Sequence, residues 1–255
     1  MGEVRSALRR QRAAVLGANL VYFLALLFLG VNLFLRDVGT ALWYFALPAL
    51  AAYFLLVRPM TKRYQCALRG AILKYGVCSG LSEMTYDPKK GFSAEEFLAS
   101  GLVTTVSSKA FLSREKVTGR RGALSLEMAD TTFPILENGR NAMSSGLYVR
   151  LSRNGASFPE FTVRAGQTGE AALPANAAAL LREMASFVPG NLYISSRGDT
   201  MHVFFRGRFI GFQINPLADL TEKTLQANPL PEADQSLRLA LMLDGYGPAR
   251  TVKKG

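Results

Sequence analysis

Few side chains in this sequence have the types and spacing that metal binding or nucleophilic catalysis requires. There is one histidine, His202, and there are two cysteines, Cys66 and Cys78. Zinc sites commonly use four cysteine and histidine ligands, and a serine or cysteine nucleophile needs a neighbouring base. The sequence therefore predicts no metal ligand and no catalytic residue, unless His202 is a base. It favours a hydrogen-bonded or exposed histidine within a strand.

The motifs that bind nucleotides or activate a serine are absent from the sequence. It contains no G-x-x-x-x-G-K-[ST] loop, no G-x-G-x-x-G fingerprint and no G-x-S-x-G elbow. Acid–base catalysis could use a pair of carboxylates, and the candidates are Glu95, Glu96, Glu115, Glu127, Asp130 and Glu137. None of them belongs to a recognisable constellation. The sequence therefore predicts solvated carboxylates and no cofactor-binding residue.

Two long apolar runs occupy the N-terminal part of the chain. Residues 13–35 carry no charge, and residues 38–57 carry none either. As helices they would be about 34 and 30 Å long, and the hydrocarbon core of a membrane is about 30 Å thick. Only Arg36 and Asp37 separate the two runs, which leaves room for a tight turn. The pattern predicts an N-terminal transmembrane hairpin with spans over about 13–35 and 38–57.

Basic residues at the ends of these runs predict the orientation, because lysine and arginine accumulate in cytoplasmic flanks. Four arginines precede the first run and five cations follow the second, whereas the turn has only Arg36, offset by Asp37. The sequence thus predicts a multi-pass membrane protein with both termini and the soluble domain in the cytoplasm. The predicted membrane-interface residues are Arg9, Arg10, Arg12, Trp43, Arg58, Lys62 and Arg63.

The net charge of +11 has several interpretations. Residues 1–58 carry six basic and two acidic side chains, or +4, which leaves +7 for the remainder. Nucleic-acid binding is not favoured because no dense Lys/Arg run is present. The stretch "HVFFRGRF" (202–209) alternates aromatic and basic residues, but a strand–turn–strand predicts the same letters. Cations near the inner leaflet attract anionic lipids, which are the partner that this charge predicts.

The rest of the sequence predicts an α+β domain with an antiparallel sheet. A juxtamembrane helix is expected over 59–76, the domain over 77–245 and a flexible tail over 246–255. Ser93 and Glu96 form a capping-box pattern, and residues 173–190 form an amphipathic helix. A turn or loop is expected over 137–146, a three-stranded meander over 191–214 and two short helices over 217–227 and 232–243. Leu237, Ala240, Leu241 and Leu243 are the core candidates of the last helix.

The order of these elements, with "SGLV" (100–103), "FPEFTVRA" (158–165), a Leu/Ala-rich helix after "LP" and an "LYI" strand, resembles a known family. It is the uncharacterised bacterial membrane family named domain of unknown function 3137. The resemblance covers nearly the whole chain, although Val103 stands where an aromatic residue is expected. It implies a two-span anchor in the bacterial inner (plasma) membrane, a cytoplasmic α+β domain and a LemA-like membrane protein as a possible partner. It implies no catalytic residue.

The sequence leaves three functions open. The first is a non-enzymatic membrane-anchored protein whose cytoplasmic domain binds a protein partner, as a subunit or adaptor of an envelope assembly; a homo-oligomer is also compatible with the sequence. This function predicts an exposed apolar or aromatic patch on the soluble domain and no deep polar pocket. The second is an anchored enzyme or ligand sensor, which predicts a cleft where Arg120, Arg121 and Glu127 converge beside a perturbed pKa. The third is binding of anionic lipid along residues 58–76.

Overall fold

The computed structural model describes residues 2–35, 47–77, 80–103, 110–137, 140–163, 173–188, 192–210, 221–226, 228 and 230–243. Trp43, Cys78, the turn at residues 36 and 37 and the predicted tail lie outside these ranges. The chain divides into two compact units. One comprises Met1–Tyr75 with Gln213–Ala227, and the other comprises Gly76–Phe212 with Asn228–Gly255.

The first helix, α1 (Gly2–Leu35), joins the basic N-terminus to the first apolar run without a break. Its segment Gly2–Val31 is long and apolar enough to cross a membrane, and only 11% of its apolar window is buried. No other helix within the described ranges meets these criteria of length and composition. A helix of 34 residues is about 51 Å long, so α1 exceeds the hydrocarbon core by roughly 20 Å.

The second apolar run ends in a helix that continues without interruption from residue 47 to residue 77. It consists of α2 (Leu47–Ala52), a π-helical turn (Tyr53–Val57), α3 (Arg58–Ile72) and a second π-helical turn (Leu73–Val77). Pro59 has no N–H, and its ring disfavours regular α-helix in the preceding turn. The first π-turn lies directly before this proline, and the Arg58 N–H donates to the Tyr53 carbonyl. The predicted juxtamembrane helix over 59–76 is therefore part of a longer helix.

Helix α1 and this second helix pack side by side and run in opposite directions. The rings of Tyr22 and Tyr53 are 5.1 Å apart. Further toward the N-terminus of α1, Arg12 lies beside the buried Tyr64. Positions whose numbers add up to about 75 or 76 therefore face each other. The short helix α6 (Glu222–Gln226) belongs to the same unit and contacts α3.

The other unit contains a seven-stranded sheet in which each pair of neighbouring strands is antiparallel. The spatial order is β1-β2-β3-β4-β7-β6-β5. The strands are β1 (Ser82–Asp87), β2 (Leu112–Arg121), β3 (Leu124–Glu137), β4 (Arg140–Arg153), β5 (Phe161–Val163), β6 (Leu192–Arg197) and β7 (Thr200–Arg206). The mixed α+β prediction with an antiparallel sheet is confirmed.

Strand β4 corrects the prediction of a turn or loop over 137–146. Residues 140–146 belong to this strand and pair with β3 along their whole length. Serine and glycine are poor strand formers, but their environment overrides that preference. Gly146 lies against β7, where a Cβ atom would stand 2.1 Å from the Phe205 carbonyl oxygen. A glycine is thus required for close approach of two strands.

Three helices complete this unit. Helix α4 (Ala94–Ala99) begins with the predicted capping box between Ser93 and Glu96. Helix α5 (Ala175–Phe187) confirms the predicted amphipathic helix, and it contacts α7 (Pro231–Met242), which also contacts β4 and β7. Leu237, Ala240 and Leu243 are buried as predicted, whereas Leu241 is 37% exposed.

The predicted three-stranded meander over 191–214 is shown only for its first two strands, β6 and β7. Residues 208–210, which follow β7, are not in a strand, and residues 211–214 lie outside the described ranges. The backbone N–H of Ile210 donates to the Asp130 carboxylate instead. The chain therefore leaves the sheet after the turn at Gly207.

Candidate functional site

The helical unit exposes an unusual amount of apolar surface. Val21 and Leu55 are 68% and 73% exposed, and their neighbours on both helices are also exposed. The full set of large exposed apolar side chains in residues 16–31 and 50–56 is Leu16, Leu20, Val21, Phe23, Leu24, Leu26, Leu27, Phe28, Val31, Leu50, Phe54, Leu55 and Leu56. Contiguous apolar surface of this kind marks contact with lipid or with another protein. We call it the apolar belt.

Six of the predicted membrane-interface cations lie next to the apolar belt. They are Arg9, Arg10 and Arg12 on α1 and Arg58, Lys62 and Arg63 on α3, and we call them the basic collar. The pairing of the two helices places Arg58, Lys62 and Arg63 level with about residues 13–18 of α1. With a rise of 1.5 Å per residue, the collar spans roughly 14 Å along the helix axes. Trp43, the seventh predicted residue, lies outside the described ranges.

Five of the six collar cations have no carboxylate partner in the part of the chain that the structure describes. Among the described residues, Arg9, Arg10, Arg58, Lys62 and Arg63 form no ion pair. The guanidinium of Arg58 instead lies 5.4 Å from the centre of the Phe54 ring. The collar is therefore a concentrated positive surface that an anionic partner could neutralise.

A second group of charged residues, the charged cluster, lies on the sheet and consists of Glu96, Lys116, Glu127 and Arg150. The Arg150 guanidinium binds the carboxylates of Glu96 and Glu127, and Lys116 lies 3.3 Å from Glu127. Glu127 on β3 and His202 on β7 are the two residues directly opposite Arg150 on β4. The strand register, which brings together residues far apart in sequence, builds the cluster.

An aromatic ring and a buried tyrosine–histidine pair adjoin the charged cluster. Lys116 and Arg150 lie 4.5 and 5.1 Å from the centre of the Phe92 ring. The Tyr148 hydroxyl and His202 Nδ1 share a hydrogen bond of 2.8 Å, and the two rings are parallel. Burial raises the pKa of Tyr148. Burial, helped by the charge of Arg150, lowers the pKa of His202 to about 4.

These contacts give the charged cluster a structural role. Two cations balance two carboxylates, so the cluster is neutral overall. At neutral pH both His202 and Tyr148 are uncharged and bonded to each other, as the prediction of a hydrogen-bonded strand histidine requires. Both side chains are buried beneath the charged cluster. Sequence reasoning missed Lys116, Tyr148 and Arg150, because their proximity depends on strand register.

The three residues proposed for an enzymatic cleft do not converge. Glu127 belongs to the charged cluster, and Arg120 lies 3.4 Å from Glu83 on the exposed β1–β2 edge. Arg121 lines a different cavity, of about 170 Å³, together with Asp234. The perturbed pKa expected for such a cleft is present at His202, but it belongs to the neutral tyrosine–histidine pair.

The β3–β4 hairpin extends beyond its neighbours at one end of the sheet. The last residue of β2 paired with it is Leu112, opposite Thr132, and the last of β7 is Arg206, opposite Gly146. Beyond these, five residue pairs join β3 to β4 with no further strand beside them in the described part of the chain, over roughly 17 Å. Phe133 at the start of this segment is still buried in the core. We call residues 133–137 and 140–144 the arm.

Two exposed apolar side chains lie at the arm and its base. Met143 in the arm is 54% exposed, and Leu112 is 46% exposed. Since Leu112 is opposite Thr132, and Met143 is opposite Pro134 two residues further along β3, both side chains lie on the same face of the sheet. Phe209, after β7, is 41% exposed. Leu112, Met143 and Phe209 are therefore the most exposed large apolar side chains among the described residues of this unit, followed by Leu241 on α7.

Comparisons with protein-family models, with curated proteins and with solved structures give no match to this chain. The resemblance to the domain of unknown function 3137 family stays a prediction.

Proposed function

We propose that this protein is a non-enzymatic membrane anchor and partner-binding subunit. Its helices cross the bacterial inner membrane twice, and its sheet domain lies in the cytoplasm and binds another protein of an envelope assembly. The apolar belt is the single observation that carries this proposal. Neither a water-exposed belt of this size nor a lipid-exposed collar would be stable, so the boundary between them is expected at the membrane surface.

The second span is supported by side chains on the other helix. Leu50, Phe54, Leu55 and Leu56 are all at least 49% exposed. The antiparallel pairing puts them level with about residues 19–26 of α1, which are in the middle of the apolar run. If lipid surrounds α1 at this level, it surrounds the second helix as well. The turn at residues 36 and 37 would then lie on the outer side.

Polar side chains in the belt and at its border with the collar are compatible with lipid, because they bond to their own helix. The Asn19 amide donates to the Val15 carbonyl at 2.8 Å, and the Thr61 hydroxyl donates to the Val57 carbonyl at 2.9 Å. Bonds of this kind satisfy polar groups where water is absent. The basic collar lies at the end of the two helices opposite the turn at residues 36 and 37. It supports a cytoplasmic location for that end, since cations accumulate on the cytoplasmic side of membrane spans.

The arm supports the partner-binding part of the proposal. A two-stranded extension with apolar side chains offers both backbone hydrogen bonds and hydrophobic contacts to a partner. The charged cluster is internally neutralised and offers no open catalytic group. A LemA-like membrane protein, which the family resemblance implies, is the first partner to test, and self-association is the second.

Single cysteines test the topology directly. Glu3→Cys, Asp37→Cys and Lys89→Cys are each made in a Cys66→Ser/Cys78→Ser background and treated with a membrane-impermeant maleimide in spheroplasts. Two spans predict labelling of Asp37→Cys in intact spheroplasts, and labelling of the other two only after permeabilisation. Labelling of Lys89→Cys but not Glu3→Cys in intact spheroplasts would show a single span. It would also place the sheet domain outside.

A further inference from the structure

We propose that the groove between α1 and the second helix is a binding site for the headgroup and upper acyl chain of one anionic phospholipid of the inner leaflet. This inference rests on the proposed function, because it needs both helices in the membrane. It goes beyond general attraction of the basic collar to anionic lipid, since it assigns a defined cavity and two particular cations.

The cavity has the size and wall of an acyl-chain site. It has a volume of about 530 Å³, and its apolar wall includes Val15 and Leu16 on α1 with Tyr53 and Val57 on the second helix. Small-molecule sites have volumes of roughly 300–1,000 Å³ and mainly apolar linings. Val15 and Val57 are nearly fully buried, so the two helices meet at the back of the cavity.

Charge complementarity identifies the occupant. Arg58 and Lys62 also line the cavity. They stand four residues apart, so they lie on one side of the helix. Neither has a carboxylate partner within the described residues. A phosphate carrying no compensating headgroup cation would satisfy both, whereas a zwitterionic lipid brings its own positive charge.

The depth of the cavity fits an inner-leaflet lipid. Its wall runs from residues 15–19 of α1 to residues 53–65 of the second helix, where the predicted spans end. Tyr53 and Val57 lie on the span side of Arg58 and Lys62, whereas Val15 and Leu16 on α1 lie level with these two cations. A phospholipid with its phosphate at the collar would place its first acyl carbons against Val57 and Tyr53, and its glycerol backbone beside Leu16.

Native mass spectrometry of the purified full chain in detergent measures this preference. The probe is an equal mixture of dioleoyl phosphatidylglycerol and dioleoyl phosphatidylcholine, which share their acyl chains. The wild-type chain is expected to retain mainly one phosphatidylglycerol. In Arg58→Gln/Lys62→Gln that preference is expected to fall roughly 5-fold for each cation removed. The charge-matched control Lys89→Gln/Lys90→Gln is expected to behave like the wild type.

A second variant separates a built site from diffuse attraction. Leu16→Trp fills the cavity but keeps all the cations of the collar. A lipid held in the cavity should therefore be lost, whereas a general attraction of anionic lipids to the collar should remain. Retention of the phosphatidylglycerol preference by Leu16→Trp would overturn the proposal, as would equal loss in the Lys89/Lys90 control. Resistance of each variant to alkaline extraction from membranes reports the anchor separately. A wild-type chain that resists extraction but shows no lipid preference refutes the lipid site alone.

Discussion

The hydroxyl of Tyr148 and the Nδ1 atom of His202 lie 2.8 Å apart on neighbouring strands, with their rings parallel. Both side chains are buried, and the positive charge of Arg150 lies between His202 and Glu127 in the strand register. Protonation of His202 would put a second cation beside Arg150 in a poorly solvated place. The sheet is therefore built around a neutral histidine.

This relationship predicts a loss of stability in mild acid. The pKa of His202 is about 4 in the folded chain, and a histidine in the unfolded chain has a pKa of about 6.5. Between these values the unfolded state binds the additional proton, so the free energy of unfolding falls as the pH falls from about 6.5 to about 4. The shift corresponds to about 3 kcal/mol. Urea unfolding of the full chain in detergent at several pH values measures the slope.

The variant His202→Gln removes the titrating group and shows how much of the acid-induced loss of stability comes from His202. Its free energy of unfolding is expected to be lower than that of the wild type at pH 7. It is also expected to change less between pH 7 and about 4.5, below which the carboxylates begin to protonate in both proteins. Parallel pH profiles for the variant and the wild type would show that His202 does not determine the acid response.

Removal of Arg150 should uncover the carboxylates of the charged cluster. Glu127 is 25% exposed and would keep only Lys116, while Glu96 would lose its guanidinium partner. We expect Arg150→Met to lower the free energy of unfolding by about 1–3 kcal/mol, because part-buried carboxylates are left less compensated. The control is Lys90→Met, which removes a largely exposed cation from Asp87 and should change stability by less than about 0.5 kcal/mol. Equal effects of the two substitutions would contradict a structural role for the cluster.

Gly146 should not tolerate a methyl group. A Cβ there would stand 2.1 Å from the Phe205 carbonyl oxygen and 2.9 Å from the Arg206 Cα, so β4 and β7 would have to separate. Overpacking of this kind costs about 1–3 kcal/mol, and Gly146→Ala is expected at the upper end. Gly17→Ala is the matched control, since nothing lies within 4 Å of its added Cβ. Thermal unfolding of both variants would detect the difference, and an unchanged melting temperature for Gly146→Ala would refute the close approach.

The arm should be the partner-binding surface of the domain. A photo-reactive amino acid at Met143 is expected to cross-link to a partner in living cells, whereas the same group at Lys89 is not. The double variant Leu112→Glu/Met143→Glu should weaken that partner's binding at least 10-fold, the effect of losing a hot spot. Its fold should be unaffected, because both side chains are largely exposed. Similar cross-linking yields from positions 143 and 89 would show that the arm is not the partner-binding surface.

The sequence predicted correctly those elements that depend on interactions between residues close together in the chain. The capping box at Ser93 and Glu96 and the helix α5 depend on residues within a few positions of each other, and both are present. The apolar run over 13–35 likewise predicted most of α1. The prediction failed at residues 140–146, where serines and a glycine suggested a loop. Their strand conformation depends on partners in β3 and β7 that local composition does not reveal.

The candidate sites divide in the same way. The basic collar was predictable, since positive flanks follow from the sequence of the helices themselves. The charged cluster was not, because Glu96, Lys116, Glu127 and Arg150 come from four separate elements. The bulged pairing of β2 with β3 and the register of β4 bring three of them together, and helix α4 adds Glu96. No spacing within the sequence encodes those contacts directly.

The π-turn at Tyr53–Val57 also keeps the helices in phase. Tyr53 contacts Tyr22 of α1, and the buried side chains that follow it on the second helix include Val57, Tyr64, Leu68 and Ile72, of which Ile72 stands 19 positions after Tyr53. Five turns of an α-helix need 18 residues, so a regular helix would rotate Ile72 away by about 100°. The additional residue in the π-turn absorbs this surplus. Deletion of Leu55 should therefore remove the additional residue and keep these side chains on one side of the helix, which Pro59 would still bend, whereas an insertion at the same point should rotate residues 58–72 by about 100° relative to α1.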